Sequence, residues 1–269
     1  MKLYAEGVVY HAEIHQNNSK LPHLILFHGF MGSGRAFSNI LSELKAFCNP
    51  VTIDLIGHGK TITPDDVNLF SAERQTEQSK SILDRFQFKN LYVYGYSMGG
   101  RLLFQLLTSI PSYFRGALIE SSHCGIDDES TRKERVEVDQ KRALEIERDF
   151  ETFLDRWMGM PLFQSEDQTS SLLYRNIMED QSPRNLAYSL KGFGAGVMPP
   201  VCEKLHQLRV PLYLMAGSND QKYVDRMTEI SKLSSHFELI VAENAGHRVH
   251  ADRPDLLIKS LKKLISTHV

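Results

Sequence analysis

The sequence predicts an α/β protein with a mostly parallel central sheet and helices on both of its faces. From about residue 23 onward, short β-rich runs alternate with helical patterns, which is typical of this fold class. Several of the runs are apolar nearly throughout, as expected for strands that are buried on both faces. The length of 269 residues suits one large domain or two small ones.

The strands and helices are placed by their apolar patterns. The opening run KLYAEGVVYHAEIH alternates apolar and polar residues and predicts an antiparallel hairpin at an edge of the sheet. Further strands are predicted at residues 23–27, 50–55, 90–95, 115–121, 210–217 and 236–242. Helices are predicted between them, at residues 71–86, 98–110, 222–233 and 253–265.

The regular alternation breaks between Ser121 and Val210, where the sequence becomes helical and rich in charge. Residues 127–156 alone hold 11 acidic and 7 basic side chains. Most of these charges are expected on a solvated helix face, with a few pointing inward.

This break predicts an inserted segment with its own helices. The run KGFGAGVMPP at residues 191–200 is rich in Gly and Pro and indicates the return to the core. We therefore predict a core formed by residues 1–121 and 191–269, and a helical cap at residues 122–190.

The positive and negative charges of the chain nearly balance. It has 31 Lys and Arg residues and 33 Asp and Glu residues, which leaves a formal charge of −2. This balance argues against nucleic acid or an anionic membrane as the main partner. No apolar run approaches the ~20 residues that span a bilayer, and the N-terminal run has no continuous apolar core of the signal-peptide kind. We expect no nucleic-acid partner, no membrane insertion and a cytoplasmic location.

The three cysteines, Cys48, Cys124 and Cys202, lie far apart in the sequence. Their number is odd, and no C-x-x-C pair suggests a zinc or redox site. We expect free thiols in a reducing compartment, none of which is needed for activity.

A candidate nucleophile stands where a predicted strand meets a predicted helix. The apolar run LYVYG continues into GYSMGG, so Ser97 occupies a G-x-S-x-G pattern. Bulk at Gly95 or Gly99 is expected to collide with neighbouring backbone, and the tight turn holds the serine hydroxyl above the sheet. The pattern alone is weak evidence, and its weight comes from an acid and a base that follow in the required order.

The acid and base candidates follow the last two predicted strands. Asp220 and His247 both lie at strand ends, where α/β folds bind their ligands, and the order Ser97, Asp220, His247 suits a nucleophile elbow. We expect His247 to accept the serine proton while Asp220 orients the imidazole. As alternatives, Asp220 caps the following helix, or His247 makes only local hydrogen bonds, with His250 three residues further on.

An oxyanion hole is predicted in the turn after the first parallel strand. His28-Gly29-Phe30 follows apolar LILF, and the Gly-rich run MGSG comes next. The backbone N–H groups of Phe30 and Met98 are expected to point at a developing oxyanion. The run lacks the G-K-[ST] ending of a P-loop and the G-x-G-x-x-G spacing of a dinucleotide fold, which excludes both nucleotide sites. The DLIGHG turn is expected to be structural, with His58 making local hydrogen bonds.

Together these motifs resemble the α/β-hydrolase superfamily over residues 21–254. Within it, HGFMGSG, DLxGHG, GYSMGGR, ESSHCGI and NAGHxxHxxxP resemble the 2-succinyl-6-hydroxy-2,4-cyclohexadiene-1-carboxylate synthases of menaquinone biosynthesis. The resemblance implies the α/β-hydrolase fold and an elimination that releases pyruvate, with the triad as general base and no metal or cofactor. One motif departs from the family, because Cys124 stands where HPGL has its stiffening proline.

Arg101 carries the physical case for an anionic substrate. It follows Ser97 by four residues, one helical turn, and is therefore expected on the face of the nucleophile. A guanidinium there stays charged and needs an anionic partner. The alternative is a structural salt bridge, for example to a cap carboxylate.

The resemblance implies further pocket residues. It places Arg135 and Arg175 of the cap against the carboxylates of the substrate, Arg175 by the looser alignment. It also places Tyr96 and Trp157 in the pocket, with simple packing as the alternative for each. The implied partner is a small anionic substrate with several carboxylates.

Three functions fit these residues. The first is the pyruvate-releasing lyase. The second is a carboxylesterase or carbon–carbon bond hydrolase, in which Ser97 is a nucleophile and forms a covalent intermediate. The third is a non-catalytic ligand receptor, which the complete triad disfavours. The sequence leaves both a monomer and a small homo-oligomer open.

Overall fold

One sheet forms the centre of the molecule. The computed structural model describes residues 1–160 and 168–267. The strands are β1 (Lys2–Ala5), β2 (Val8–Ile14), β3 (His23–Phe27), β4 (Asn49–Asp54), β5 (Leu91–Tyr96), β6 (Gly116–Glu120), β7 (Leu212–Gly217) and β8 (Phe237–Ala242). In space they are ordered β1-β2-β4-β3-β5-β6-β7-β8.

The sheet is mostly parallel. β1 and β2 form an antiparallel hairpin at one side, and β2 pairs antiparallel with β4. The remaining neighbours are parallel. The predicted fold class is therefore confirmed, with the ends of the parallel strands shifted by at most two residues. Because the parallel strands share one direction, their carboxyl ends meet at a single edge, where such folds bind ligands.

Helices cover both faces of the sheet. In chain order they are α1 (Leu41–Leu44), α2 (Ala72–Phe86), α3 (Met98–Ser109), α4 (Glu129–Arg148), α5 (Phe150–Met158), α6 (Gln168–Glu179), α7 (Pro183–Phe193), α8 (Gln221–Ser231), α9 (Val249–Asp252) and α10 (Pro254–Thr267). The four predicted helices correspond to α2, α3, α8 and α10. None of the described helices is long and apolar enough to cross a membrane.

The two faces of the sheet form separate apolar cores. Along β3, Leu24 and Leu26 pack into one core, while Ile25 and Phe27 pack into the other. This division follows from the alternation of side chains along a strand. All four side chains are buried, which explains why the strand is apolar throughout.

The chain between β6 and β7 forms α4 to α7, which we call the cap. Its described residues contain no strand. Apolar cap residues form a cluster with Met31 of the core: Ala143, Ile146, Phe153, Leu154, Met178, Leu186, Ala187 and Leu190. Most charged side chains of α4 face solvent, as expected, but Asp139 is buried. Residues 161–167 of the predicted cap lie outside the described residues.

The expectation of three free thiols is wrong. Cys124 and Cys202 form a disulfide, with their Cα atoms 5.1 Å apart, and Cys48 is the remaining free cysteine. The pair is 78 residues apart in sequence but adjacent in space, because Cys124 lies where the chain leaves β6 and Cys202 where it returns toward β7. Burial raises the pKa of the Cys48 thiol to about 12. The cysteines therefore do not support a reducing compartment.

We expect reductant to lower the unfolding free energy of the wild type by about 2–4 kcal/mol, because a cross-link that closes a long loop restricts the unfolded chain. Urea unfolding with and without reductant measures the loss. The variant Cys48→Ser should respond to reductant as the wild type does, whereas Cys124→Ser with Cys202→Ser should not respond. An unfolding midpoint that reductant leaves unchanged in the wild type would contradict the disulfide.

Candidate active site

The turn that carries Ser97 has a backbone conformation that non-glycine residues rarely adopt. Between β5 and α3, Ser97 has φ 51° and ψ −106°. A Cβ atom on Gly95 would lie 2.7 Å from the Gly99 carbonyl oxygen, and one on Gly99 would lie 2.4 Å from the Phe27 carbonyl oxygen. Both distances are too short for a side chain, so the turn needs glycine on each side of the serine.

Ser97, His247 and Asp220 form a hydrogen-bonded chain. His247 Nε2 lies 3.1 Å from Ser97 Oγ, and His247 Nδ1 lies 2.6 Å from Asp220 Oδ2. The carboxylate holds the proton on Nδ1 and leaves Nε2 to accept the serine proton. Asp220 directly precedes α8, but its side chain makes no capping hydrogen bond, which disfavours the capping alternative. His250 lies outside this chain, since its Nδ1 contacts Glu120.

The two residues predicted to form the oxyanion hole are close to Ser97. Phe30 lines the same cavity as Ser97, and Met98 is the residue after the serine. In the described part of the chain, neither backbone N–H donates a hydrogen bond to a protein acceptor. Such a pair of amide N–H groups can stabilise an oxyanion without rearranging other bonds.

Two buried histidines hold the neighbouring loops. His28 Nδ1 donates to the Gly29 carbonyl at 2.8 Å, and His28 Nε2 accepts the Leu55 N–H at 2.9 Å. His58 Nδ1 donates to the Ile56 carbonyl, so its expected local role is confirmed. Burial lowers the pKa of His28 to about 4 and that of His58 to about 3. Both rings are therefore neutral near pH 7 and shape the loops without carrying charge.

Ser97 borders a small cavity of about 30 Å³ between core and cap. Its lining residues are Gly29, Phe30, Gly32, Ala36, Tyr96, Ser97, Trp157, Tyr174, Met178 and Arg248. The Trp157 ring of α5 packs edge-on against Phe30, with ring centroids 5.7 Å apart. The Tyr96 ring packs against His247 at 5.4 Å. Ligand pockets usually measure ~300–1,000 Å³, so this cavity is much smaller than a typical ligand pocket.

Arg101 of α3 is buried, with 8% of its surface exposed. Its guanidinium donates to the Phe193 carbonyl at 2.8 Å and lies 5.1 Å from the centre of the Phe193 ring. In the described ranges it forms no ion pair, so the alternative of a salt bridge to a cap carboxylate is not found. Burial, followed by the charge of Arg135, lowers the pKa of Arg101 to about 10. An anionic ligand beside Arg101 would stabilise the charged guanidinium and raise its pKa again.

Arg135 and Arg142 of α4 share one buried carboxylate. Both oxygens of Asp139 lie 3.0 Å from Arg135 Nε, and Asp139 Oδ1 lies 3.3 Å from Arg142 Nη1. The Ala195 N–H also donates to Asp139, at 3.1 Å. Burial and then the charge of Arg135 lower the pKa of Lys222. We call Arg101, Arg135, Arg142 and Lys222 the cationic cluster.

The cationic cluster borders the triad. The Tyr223 ring lies against the His247 ring, with centroids 4.7 Å apart. Burial raises the pKa of Tyr223, and the charges of Arg101 and Arg135 act in the opposite direction. The positive charges of the cluster therefore act on Tyr223, which packs against the His247 imidazole.

Arg175 of α6 is not brought into the cluster. It forms exposed ion pairs with Asp155 and Glu179, each at 2.7 Å. The preceding residue, Tyr174, lines the cavity beside the nucleophile instead. A substrate-binding role for Arg175 stays a prediction.

Comparison with known proteins decides the family. The model of the alpha/beta hydrolase family matches residues 24–259. The chain belongs to this family. It is therefore an enzyme of the α/β-hydrolase fold, in which a serine at the elbow and a histidine and acid at later strand ends form the triad.

Several relatives cover nearly the whole chain. A "Putative 2-succinyl-6-hydroxy-2,4-cyclohexadiene-1-carboxylate synthase" of Bacillus subtilis (strain 168) is 29% identical over 91% of this chain and 90% of its own length. The 2-succinyl-6-hydroxy-2,4-cyclohexadiene-1-carboxylate synthase of Citrobacter koseri is 26% identical over 91% of this chain and 94% of its own. The structure of MenH from S. aureus superposes with a TM-score of 0.90 at 27% identity, over 96% of this chain and 98% of that chain.

Sequence reasoning missed some polar residues of this hydrolase-family site: Arg142, Tyr174, Lys222 and Arg248. A signal existed for Arg142, which follows Arg135 by seven residues and therefore shares its helix face. Arg248 directly follows His247, and its guanidinium lies 3.9 Å from the centre of the Tyr174 ring. Tyr174 gave no signal, because only the folded cap places it beside the serine.

We expect a fluorophosphonate to label Ser97 covalently, because the triad activates its hydroxyl. The variant His247→Ala should slow labelling by about 100-fold or more, since it removes the general base. Mass spectrometry of the labelled peptide measures both effects. His236→Ala, which changes an exposed histidine, is the matched control and should label at the wild-type rate. Failure to label Ser97 would instead favour a non-catalytic receptor.

Proposed function

We propose that this enzyme is a lyase that eliminates pyruvate from 2-succinyl-5-enolpyruvyl-6-hydroxy-3-cyclohexene-1-carboxylate, giving 2-succinyl-6-hydroxy-2,4-cyclohexadiene-1-carboxylate for menaquinone biosynthesis. The observation that carries the proposal is the cationic cluster beside the serine triad. Within this cluster, positive side chains outnumber carboxylates. Relatives named for this reaction over about nine tenths of the chain support it. An esterase for neutral substrates has no use for this excess of positive charge, of which Arg101 is buried and Arg135 and Arg142 are half-buried.

In this mechanism Ser97 acts as a general base. After passing its own proton to His247, the Ser97 oxygen takes the ring proton α to the succinyl ketone. The electrons of the C–H bond move onto the ketone oxygen as an enolate, which the N–H groups of Phe30 and Met98 stabilise. When the enolate collapses, the ring double bonds become conjugated and the bond to the enolpyruvyl oxygen breaks. No acyl-enzyme forms, and no metal or cofactor is required.

The cationic cluster suits a substrate with several carboxylates. Arg101 donates only through Nη1 within the described residues, and Arg135 only through Nε. Each guanidinium therefore has further N–H groups that can bind a carboxylate through charge-assisted hydrogen bonds. Arg142 and Lys222 add positive charge without the need for direct contact. Together they favour a polyanion over a neutral ester.

The second candidate is a carboxylesterase or carbon–carbon bond hydrolase. The same triad and oxyanion hole suit nucleophilic attack by Ser97 on a carbonyl, which leaves a covalent acyl-enzyme. The two functions differ in the product of the first step. Pyruvate release without an acylated serine identifies the lyase, whereas a burst of product with an acylated Ser97 identifies the hydrolase.

We expect Ser97→Ala, His247→Ala and Asp220→Asn each to lower pyruvate release by orders of magnitude, because the three groups act as one unit. A coupled assay for pyruvate with the enolpyruvyl cyclohexene as substrate measures the loss. Unchanged circular dichroism and melting temperature serve as the control for folding. A Ser97→Ala protein that keeps most of its activity would contradict the general-base assignment.

Arg101→Ala should lower kcat/KM for the anionic substrate by about 1.5–3 kcal/mol, the size of one charge-assisted contact. Hydrolysis of a small neutral ester should change far less. Arg101→Lys should recover only part of the loss, because a point charge cannot reproduce a planar two-pronged contact. Arg184→Ala, which breaks an exposed ion pair with Asp65, is the control and should match the wild type.

A purely structural Arg101 predicts a different pattern. Its hydrogen bond to the Phe193 carbonyl joins α3 to the end of the cap. Losing only that bond would lower the melting temperature and reduce both activities equally. Equal losses on charged and neutral substrates would therefore remove the main electrostatic support for the lyase.

A further inference from the structure

A second hydrogen-bonded chain lies beside the catalytic triad. Glu120 ends β6, and its Oε1 lies 2.7 Å from Nδ1 of His250 in α9. His250 Nε2 lies 2.5 Å from the hydroxyl of Tyr174 in the cap helix α6. Tyr94 of β5 donates to the other Glu120 oxygen at 2.6 Å. Glu120 and His250 are both fully buried.

This chain is separate from the triad but reaches the same cavity. The Tyr96 ring lies between the two histidines, with its centroid 5.4 Å from that of His247 and 4.6 Å from that of His250. Tyr174, at the outer end of the chain, lines the cavity together with Ser97. Ser97 and Tyr174 therefore line the same cavity, although they belong to two separate hydrogen-bonded chains.

Glu120 and His250 are close enough to share a proton. In the described part of the chain, Glu120 has His250 as its only ion-pair partner. A proton shared between them would leave this buried pair without a net charge. In that state His250 Nε2 carries a hydrogen, whether the shared proton lies on Glu120 or on Nδ1.

That hydrogen fixes the role of the tyrosine. When Nε2 carries that hydrogen, it donates to the Tyr174 oxygen 2.5 Å away, and the hydroxyl hydrogen of Tyr174 points elsewhere. Burial raises the pKa of Tyr174, so the hydroxyl keeps its proton near pH 7. In that state Tyr174 can donate its own proton, and the proton on His250 Nε2 can replace it.

We propose that Tyr174 is the general acid that protonates the departing enolpyruvyl oxygen, with His250 and Glu120 as positioning residues that resupply its proton. The inference rests on the proposed elimination. As the carbon–oxygen bond breaks, its electron pair goes to the departing oxygen, which takes the Tyr174 proton and leaves as the enol of pyruvate. Tyr174 then takes the Nε2 proton of His250.

The protons balance over one turnover. The triad gains one proton, because Ser97 keeps the ring proton and His247 keeps the former serine proton. The leaving group takes the Tyr174 proton, which the Glu120 and His250 pair replaces. Exchange with water after product release resets both sites, and the enol becomes pyruvate. Because the acid is carried on α6 of the cap and its proton source on the core, the two are joined only while the cap is in place.

Tyr174→Phe tests the proposal, since phenylalanine keeps the ring beneath Arg248 and removes only the hydroxyl. We expect kcat for pyruvate release to fall by about 100-fold or more, the usual size of a lost general acid, while KM stays near the wild-type value. Acyl transfer from 4-nitrophenyl acetate should keep its wild-type rate. That reaction uses the same triad, and its leaving group needs no proton.

Tyr92→Phe is the matched control. It removes another buried tyrosine hydroxyl, one of β5 that donates to the Ile265 carbonyl and neither binds Glu120 nor lines the cavity. We expect it to lower the melting temperature and to leave the ratio of the two activities unchanged. His250→Gln keeps a donor for Tyr174 but cannot pass on a proton, so it should lower pyruvate release and spare the acetate.

The outcomes separate this proposal from the one on which it rests. Full pyruvate release by Tyr174→Phe, or equal losses in both reactions, would overturn the general acid and leave the elimination intact. A wild-type protein that hydrolyses the acetate but releases no pyruvate would overturn the elimination and this step with it.

Discussion

The site depends on holding Ser97 in a strained backbone conformation. Residues in sparsely populated backbone regions cost of order 1–3 kcal/mol and persist only where their surroundings fix them. Here the Ser97 N–H donates to the Glu120 carbonyl at 2.9 Å, and the Ser122 hydroxyl donates to the Ser97 carbonyl at 2.7 Å. Both partners belong to β6 or its end. The strand beside the elbow therefore fixes the nucleophile, and the side chain of the same Glu120 begins the second proton chain.

The core of the site could be predicted because a parallel sheet converts sequence position into spatial position. Once strands were placed before Ser97, Asp220 and His247, their carboxyl ends had to meet at one edge. The G-x-S-x-G pattern then set the direction of the serine, and the observed distances of 2.6 and 3.1 Å complete the triad. Little more than strand order was needed for these three residues.

The positions of the cap side chains could not be predicted in this way. Its helices pack through apolar contacts whose angles and register depend on every side chain at the interface, so sequence spacing does not tell which charges turn inward. Asp139 and Arg142 lie in a helix whose other charges mostly face solvent, and Tyr174 reaches His250 across 76 positions. The resemblance supplied Arg135, but the structure holds Arg175 in exposed ion pairs.

The disulfide fixes one end of the cap. The bond between Cys124 and Cys202 joins the cap entry to the cap exit. The Val201 N–H also donates to the Cys124 carbonyl at 2.8 Å, and a Cβ on Gly125 would lie 2.3 Å from Pro200 Cα, so the two crossing segments lie in direct contact. With this end of the cap fixed, any widening of the cavity beside Ser97 would involve the cap residues that line it, Trp157, Tyr174 and Met178. Movement of Tyr174 away from His250 would break the hydrogen bond between them, so the proposed acid would regain its proton only where that contact is made.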